Sequence, residues 1–373
     1  MVKVLLEQIT KNLFEAADSV CLDRARLVTE AYERFDGLPL PMLRAKAFEH
    51  VLLNMTLDLT FNPVFAGNTS SAPRAWMLCP EFGLSMDPQI EIEHSDLRGF
   101  LDGKIPGEIL SFWNGRQFGG NGGIGHMSLD FDTVVNHGLL HILALLDTPR
   151  ADFSPEQATY RDAMRVSCSA VIRWAERYAR EAEQAAKQTK DPLVYACLHR
   201  VAAACLHVPA RPARDLFEGL QAIALVHLAS VIEGQGMSMS IGLPDRALAR
   251  FCTEAQRNPK QAVDFVTAFL LKIAANSFLG HGSKTQAITI GGASSRGDAC
   301  NELTETFLDA FDATPVNDPH LFLRWHRDRD ETLWQRAMGM LSKGRSMPML
   351  INDHQVVPGL LAAGVTPDDA WNY

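Results

Sequence analysis

Over the first two hundred residues, apolar positions recur mainly at helical spacing. Leu22 to Arg34 shows an amphipathic turn pattern and stops at Asp36-Gly37, where glycine can take the left-handed conformation that ends a helix. Pro39 and Pro41 separate this segment from a second helix predicted over Arg44 to Leu57. From Phe61 to Gly125, Gly, Pro, Asn and Ser are frequent, which predicts long loops with short strands. Ser154-Pro155-Glu156-Gln157 is a capping box with proline at the first helical position, and it opens a long helix through Arg180 and beyond. Asp191-Pro192 opens the next helix in the same way.

After Val208 the period changes. Short apolar runs at Met237 to Ile241, Ala287 to Ile290, Leu321 to Trp325 and Met349 to Ile351 have the length and content of buried strands. Helical patterns lie between or after them, around Ala247 to Gln256, Gln261 to Ala275, Glu302 to Ala310, Glu331 to Leu341 and Gln355 to Ala363. Strands alternating with helices predict an α/β fold with a parallel sheet or barrel. The division is a mainly helical region over 1–207 and a strand-helix region over 208–373. Near the end, Gly364 stops a helix and Thr366-Pro367-Asp368-Asp369 starts another, with only Ala370 to Tyr373 remaining. A helix that short is marginal, and the alternation calls for a further strand. The expectation is an incomplete domain.

Composition narrows the class. With 373 residues and 47% hydrophobic content the chain can bury a sizeable core. A formal net charge of -9 argues against nucleic acid as a partner. Acidic and polar residues interrupt the N-terminal apolar run, so no signal peptide is predicted. No stretch approaches the roughly 20 apolar residues of a membrane span. The longest apolar helix, Leu220 to Ile232, carries Gln221 and His227 and reads as core. A cytoplasmic location without membrane partners is expected. The seven cysteines (Cys21, Cys79, Cys168, Cys197, Cys205, Cys252 and Cys300) show no C-x-x-C spacing and are expected as reduced, mostly buried thiols. The 12 histidines show no metal-ligand spacing, so no metal site is predicted.

Three polar segments are candidates for chemistry. Gly119 to Gly125 reads GGNGGIG, but a phosphate loop should follow a strand and open a helix. Here Phe112 to Arg116 reads as loop, so a tight turn is favoured, with Ser128 or Asp130 capping a helix through His141. Gly291-Gly292, Gly297, Asp298, Asn301 and Glu302 follow the strand Ala287 to Ile290, at the edge where parallel sheets bind ligands. A plain connecting loop is slightly favoured there on physical grounds. Asn352-Asp353-His354 ends the strand Met349 to Ile351, and its polar groups are either ligand contacts or a helix cap.

Taken in order, a set of segments resembles the glycyl radical enzymes, the pyruvate formate-lyase-like family. Arg24-Ala25, Thr29-Glu30 and Arg44-Ala45 resemble its opening helices. Ala66-Gly67-Asn68, Pro73-Arg74 and Pro80-Glu81-Phe82 resemble the loops that follow. Gly123-Ile124-Gly125-His126 with Asp130 and Gly138-Leu139 resembles its glycine-histidine turn, and Val208-Pro209-Ala210, Phe217-Glu218 and Leu220-Gln221 the entry to the first barrel helix. The most specific match is Thr289 to Gly292, Gly297-Asp298-Ala299 and Asn301-Glu302-Leu303-Thr304; Pro348, Asn352-Asp353, Gly364, Asp369-Ala370 and Tyr373 complete it.

The resemblance implies a ten-strand barrel of two half-sheets, of which this chain supplies the first half. It implies a lyase or dehydratase, closest to the glycerol and diol dehydratase subgroup, that abstracts hydrogen from a small-molecule substrate with a thiyl radical. The catalytic cysteine and the radical-storing glycine of the family lie beyond Tyr373, so no catalytic residue is expected within the chain. No bound cofactor is expected; the glycyl radical would be installed on the missing part by a radical S-adenosylmethionine activase. A complementing C-terminal chain is the expected partner, and a homodimer is a further expectation. His126, Met237, Ser238, Asn352 and Asp353 are the implied substrate-binding residues. Met237 stands where the glycerol enzyme has a histidine and cannot donate a strong hydrogen bond to a hydroxyl, which argues against glycerol as substrate. Gly242-Leu243-Pro244-Asp245-Arg246 also departs from the family, with Arg246 where glutamine is common. A non-catalytic remnant or binding subunit is the rival expectation.

Overall fold

A computed structural model describes residues 2–17, 19–82, 103–116, 127–148, 153–234, 239–276, 286–326 and 331–373. The N-terminal half is helical. Helix α1 (Val2–Phe14) leads to β1 (Val20–Cys21); helices α2 (Asp23–Arg34) and α3 (Leu40–Asn54) follow, and then β2 (Trp76–Met77), which pairs with β1 in parallel. The α3 helix starts earlier than the pattern suggested, because Pro39 caps it and Pro41 sits in its first turn, where a missing N–H has no partner to lose. Phe112 and Trp113 end helix α4 (Gly107–Trp113), so the loop expected there is corrected to a helix end. After β3 (Met127–Ser128), Asp130 rather than Ser128 caps α5 (Phe131–Asn136).

The helix expected through His141 is broken. Gly138, at φ 77°, separates α5 from α6 (Leu139–Asp147). The reason is tertiary: the Leu139 and Leu140 N–H groups donate to Pro209 O and Ala210 O at 2.8 and 3.0 Å. A Cβ on Gly138 would lie 2.5 Å from Ala210 O. The long helix α7 (Pro155–Gln188) carries the predicted capping box on Ser154 and packs against α3 and against α8 (Pro192–Cys205), whose N-terminus Asp191 caps.

At the centre lies α9 (Leu216–Glu233). It is long and apolar enough to cross a membrane by length and composition, but 83% of it is buried inside the molecule. It is a core helix, flanked by α7 and by the later helix Pro259–Ala274. Its Gln221 amide brackets the Ala66 backbone, accepting from N at 2.9 Å and donating to O at 3.1 Å, so a polar side chain crosses the core fully paired.

Apart from one hairpin, the strands that follow are parallel. Chain order runs β4 (Met239–Ser240), α10 (Pro244–Ala247), a 3-10 turn (Ala249–Phe251), α11 (Cys252–Arg257) and α12 (Pro259–Ala274). The single helix expected over Ala247 to Gln256 is therefore three short pieces. Then come β5 (Ala287–Gly291), the hairpin β6 (Ala293–Ser294) with β7 (Gly297–Asp298), α13 (Glu302–Ala313), β8 (His320–Trp325), α14 (Glu331–Ser342), β9 (Met349–Asn352), α15 (Asp353–Ala362) and α16 (Pro367–Trp371). β5, β8 and β9 form one sheet in that order, and β3 pairs with β4. A bridge from Gly242 to Ile288 joins the two, with Ile241 N donating to Ala287 O and Thr289 N to Gly242 O, both at 2.8 Å. The linked order is β3, β4, β5, β8, β9, all parallel.

Candidate functional site

The carboxyl ends of β5, β8 and β9 meet at a buried ionic knot. Register places Gly291 beside Arg324, and Arg324 beside Ile351, one residue before the turn into α15. Arg324 is fully buried and Asp353 nearly so. The fork is bidentate: Nε donates to Asp353 Oδ1 at 3.0 Å and Nη2 to Oδ2 at 3.1 Å. The guanidinium also donates to Ala293 O and Trp371 O from Nη2 and to Tyr373 O from Nη1. Its carbon lies 3.9 Å from the centre of the Tyr373 ring. Asp353 accepts in addition from Ala293 N at 2.8 Å and from the Tyr373 hydroxyl. Burial opposes its charge, but the hydrogen bonds from Arg324, Tyr373 and Ala293, with the guanidinium charge, outweigh burial and hold the carboxyl below its usual range.

Glycine makes room for this knot. Gly292 sits at φ 83°, and a Cβ there would fall 2.7 Å from Arg324 Cβ and 2.8 Å from Asp353 Oδ2. Next to it, Asp245 is fully buried and accepts from Gly291 N and from the Thr304 hydroxyl, each at 2.7 Å. Burial raises its pKa, and those two hydrogen bonds only partly offset it. Its Oδ1 has no hydrogen-bond partner among the described residues. Arg246, half-buried, donates to Gly291 O and Ala293 O at 3.1 and 3.0 Å. The departure at Arg246 thus fills a defined place, against the backbone of the glycine turn.

Of the residues singled out from the sequence, His126, Met237 and Ser238 lie outside the described residues, as does the Gly119 to Gly125 loop. Asn352 is exposed and caps α15 by accepting from His354 N at 3.1 Å. Asp353 is held under Arg324 and Tyr373. The Gly291 to Glu302 segment is a tight hairpin, then a helix capped by a box between Asn301 and Thr304. Arg324 and Tyr373 were not singled out as a pair, and neither was a second cluster. Asp298, Cys300 and His326 place one ligand-type atom each within 4.8 Å of one another. None of the seven cysteines is in a disulfide.

Residues 2–373 match the family described as pyruvate formate lyase-like. The isethionate sulfite-lyase of Nitratidesulfovibrio vulgaris is 27% identical over 420 aligned positions, covering 94% of this chain and 50% of that protein. The (2S)-3-sulfopropanediol dehydratase of Klebsiella oxytoca is 24% identical, with 94% and 50% covered. The glycerol-bound B12-independent glycerol dehydratase from Clostridium butyricum superposes with a TM-score of 0.85 at 22% identity, over 100% of this chain and 53% of that one. That likeness shows a shared fold. The chain spans about half the length of the curated relatives it matches. With the family matched from one end to the other and the fold shared, the chain belongs to the pyruvate formate lyase-like family of glycyl radical enzymes.

Proposed function

We propose that residues 1–373 form the first half-barrel of a glycyl radical lyase or dehydratase acting on a small organic substrate. The thiyl cysteine and the radical glycine come from residues outside this span, in the same polypeptide or on a second chain. The observation that carries the reading is the exposure pattern of the linked parallel strands. On β8, Leu321 and Leu323 are buried, while His320 and Phe322 on the other face are half-buried. On β9, which pairs on one side only among the described residues, Met349 and Leu350 are exposed. Exposed apolar side chains on both faces of β9 and an open parallel edge among the described residues call for a covering partner. A second half-sheet supplies one and closes a cavity that keeps water from the radical.

In this reading His126, Met237, Ser238 and Asn352 bind the substrate, and Asp353 fixes the edge from which Asn352 projects. The glycyl radical, when installed by a radical S-adenosylmethionine activase, supplies the hydrogen-abstracting thiyl species. This chain's residues bind, orient and exclude water. The relatives' names point to a substrate with a hydroxyl group, as in hydroxyproline and sulfopropanediol.

The test starts with the coding sequence past the Tyr373 codon and in neighbouring genes. A glycine-cysteine pair followed by an arginine-valine-x-glycine-tyrosine segment is expected. Anaerobic activation of the reunited halves should then give a glycyl radical signal by electron paramagnetic resonance and oxygen-sensitive turnover. Absence of any such segment, together with a stable monomer that binds no second half, would hand the case to the non-catalytic reading.

A further inference from the structure

We propose that Asp298, Cys300 and His326 form a site for one borderline-soft divalent ion of the zinc and cobalt class. This inference is independent of the radical chemistry. Two elements build the site. Asp298 ends β7, the second strand of the tight hairpin, and Cys300 follows two residues on. His326 directly follows β8 and is buried. The β5–β8 pairing brings the two together across a separation that no spacing motif would reveal. The His326 Nε2 lies 3.1 Å from Asp298 Oδ1. The backbone N–H of Cys300 donates to the same carboxylate at 2.9 Å, and its thiol approaches Gly292 O at 3.7 Å.

The donor set is an imidazole, a thiol and a carboxylate, all within 4.8 Å of one another. Zinc bonds of about 2.0–2.3 Å at tetrahedral angles separate such donors by about 3.4–3.6 Å. Side-chain adjustments of about an ångström close that gap. Three protein ligands of mixed type with a fourth position left to solvent is the pattern of an open zinc site. Thiolate and imidazole together disfavour magnesium and calcium, which take oxygen donors. An ion here would staple the hairpin to the end of β8, alongside the Arg324 knot.

Cobalt(II) titration of the tag-free full chain, stripped with chelator, tests the site. One equivalent should produce a thiolate-to-cobalt charge-transfer band in the near ultraviolet, displaced by zinc. Cys300→Ala should abolish the band, and Asp298→Asn should weaken binding at least tenfold. His326→Gln should also weaken it; should that buried substitution prevent folding, the other two variants still decide. Zinc at one equivalent should raise the thermal midpoint of the wild type and not of Cys300→Ala. No band at one equivalent, or a band that survives Cys300→Ala, overturns the site. So does uptake of several ions without charge transfer, which marks adventitious binding only.

Discussion

Removing one side of the Arg324–Asp353 pair tests how the sheet edge is held. In Asp353→Ala the guanidinium keeps three backbone carbonyl acceptors, from Ala293, Trp371 and Tyr373, but loses its counter-charge in a site with no solvent contact. An uncompensated buried charge costs about 3–5 kcal/mol. At about 2 °C per kcal/mol, the lower end for large domains, the thermal midpoint should fall by about 6–10 °C. The double variant Arg324→Met/Asp353→Leu removes the charge problem. It leaves Ala293 N without its acceptor and the Ala293, Trp371 and Tyr373 carbonyls without the guanidinium, at about 1–3 kcal/mol for each group that water does not reach, so it too should melt below wild type. Calorimetry or circular dichroism melts at neutral pH read both. A single variant within 1 kcal/mol of wild type would refute a charge-based knot.

Further outcomes follow from other buried groups. Burial lowers the Lys272 pKa to about 8, against the pull of Asp58 and Cys205, while the unfolded chain keeps about 10.4. The folded state thus prefers the neutral amine, so this group's contribution rises with pH between those values. Lys272→Met should melt higher than wild type at pH 7, with the gap closing by pH 10 in parallel melts. The Asp245 pKa is raised, so its penalty is present above the folded pKa and relieved as pH falls through it. Asp245→Asn should be neutral or stabilising at pH 8 and should lose the gain that wild type shows on mild acidification. For Asp353 the sign is opposite: its depressed pKa gives stability at neutral pH that disappears as pH falls below about 4, so the double variant should have the shallower acid limb in an acid titration of folding. Gly138→Ala meets both a positive φ and the Ala210 carbonyl and should cost at least about 2 kcal/mol in a denaturation melt.

What could be seen in the sequence was local. The runs at 287–290, 321–325 and 349–351 fall within β5, β8 and β9, because strands of a parallel sheet carry continuous apolar runs. The caps at Ser154, Asp191 and Thr366 also stand as expected, since a cap is decided within four residues. What escaped notice was decided at a distance. The break at Gly138 is made by backbone from 209–211, and the apolar run Leu139-Leu140 gave no hint of it. Asp353 finds Arg324 only through the β8–β9 register, and Tyr373 only through the fold of α16. The Asp298–Cys300–His326 cluster was hidden for the same reason. Ligand spacing along the chain reveals sites built on one element, and this one spans two.

The rigid part of the sheet and its open part are different places. At the carboxyl edge, Arg324, Asp353, Asp245 and Arg246 all bind backbone, and Arg324 pairs with Asp353, so the Gly291–Gly292 turn and the last residues are held by bonds that use no part of the exposed strands. Along the strands, the apolar side chains of Phe322, Met349 and Leu350 make no comparable commitment. A second half-sheet docking there would meet a preformed edge and would bury apolar surface without first ordering it. Such docking carries a smaller entropic cost than coupled folding. That separation lets the same fold keep its edge geometry while the residues that contact the substrate change, as the departure at Met237 suggests for this chain under the proposed reading.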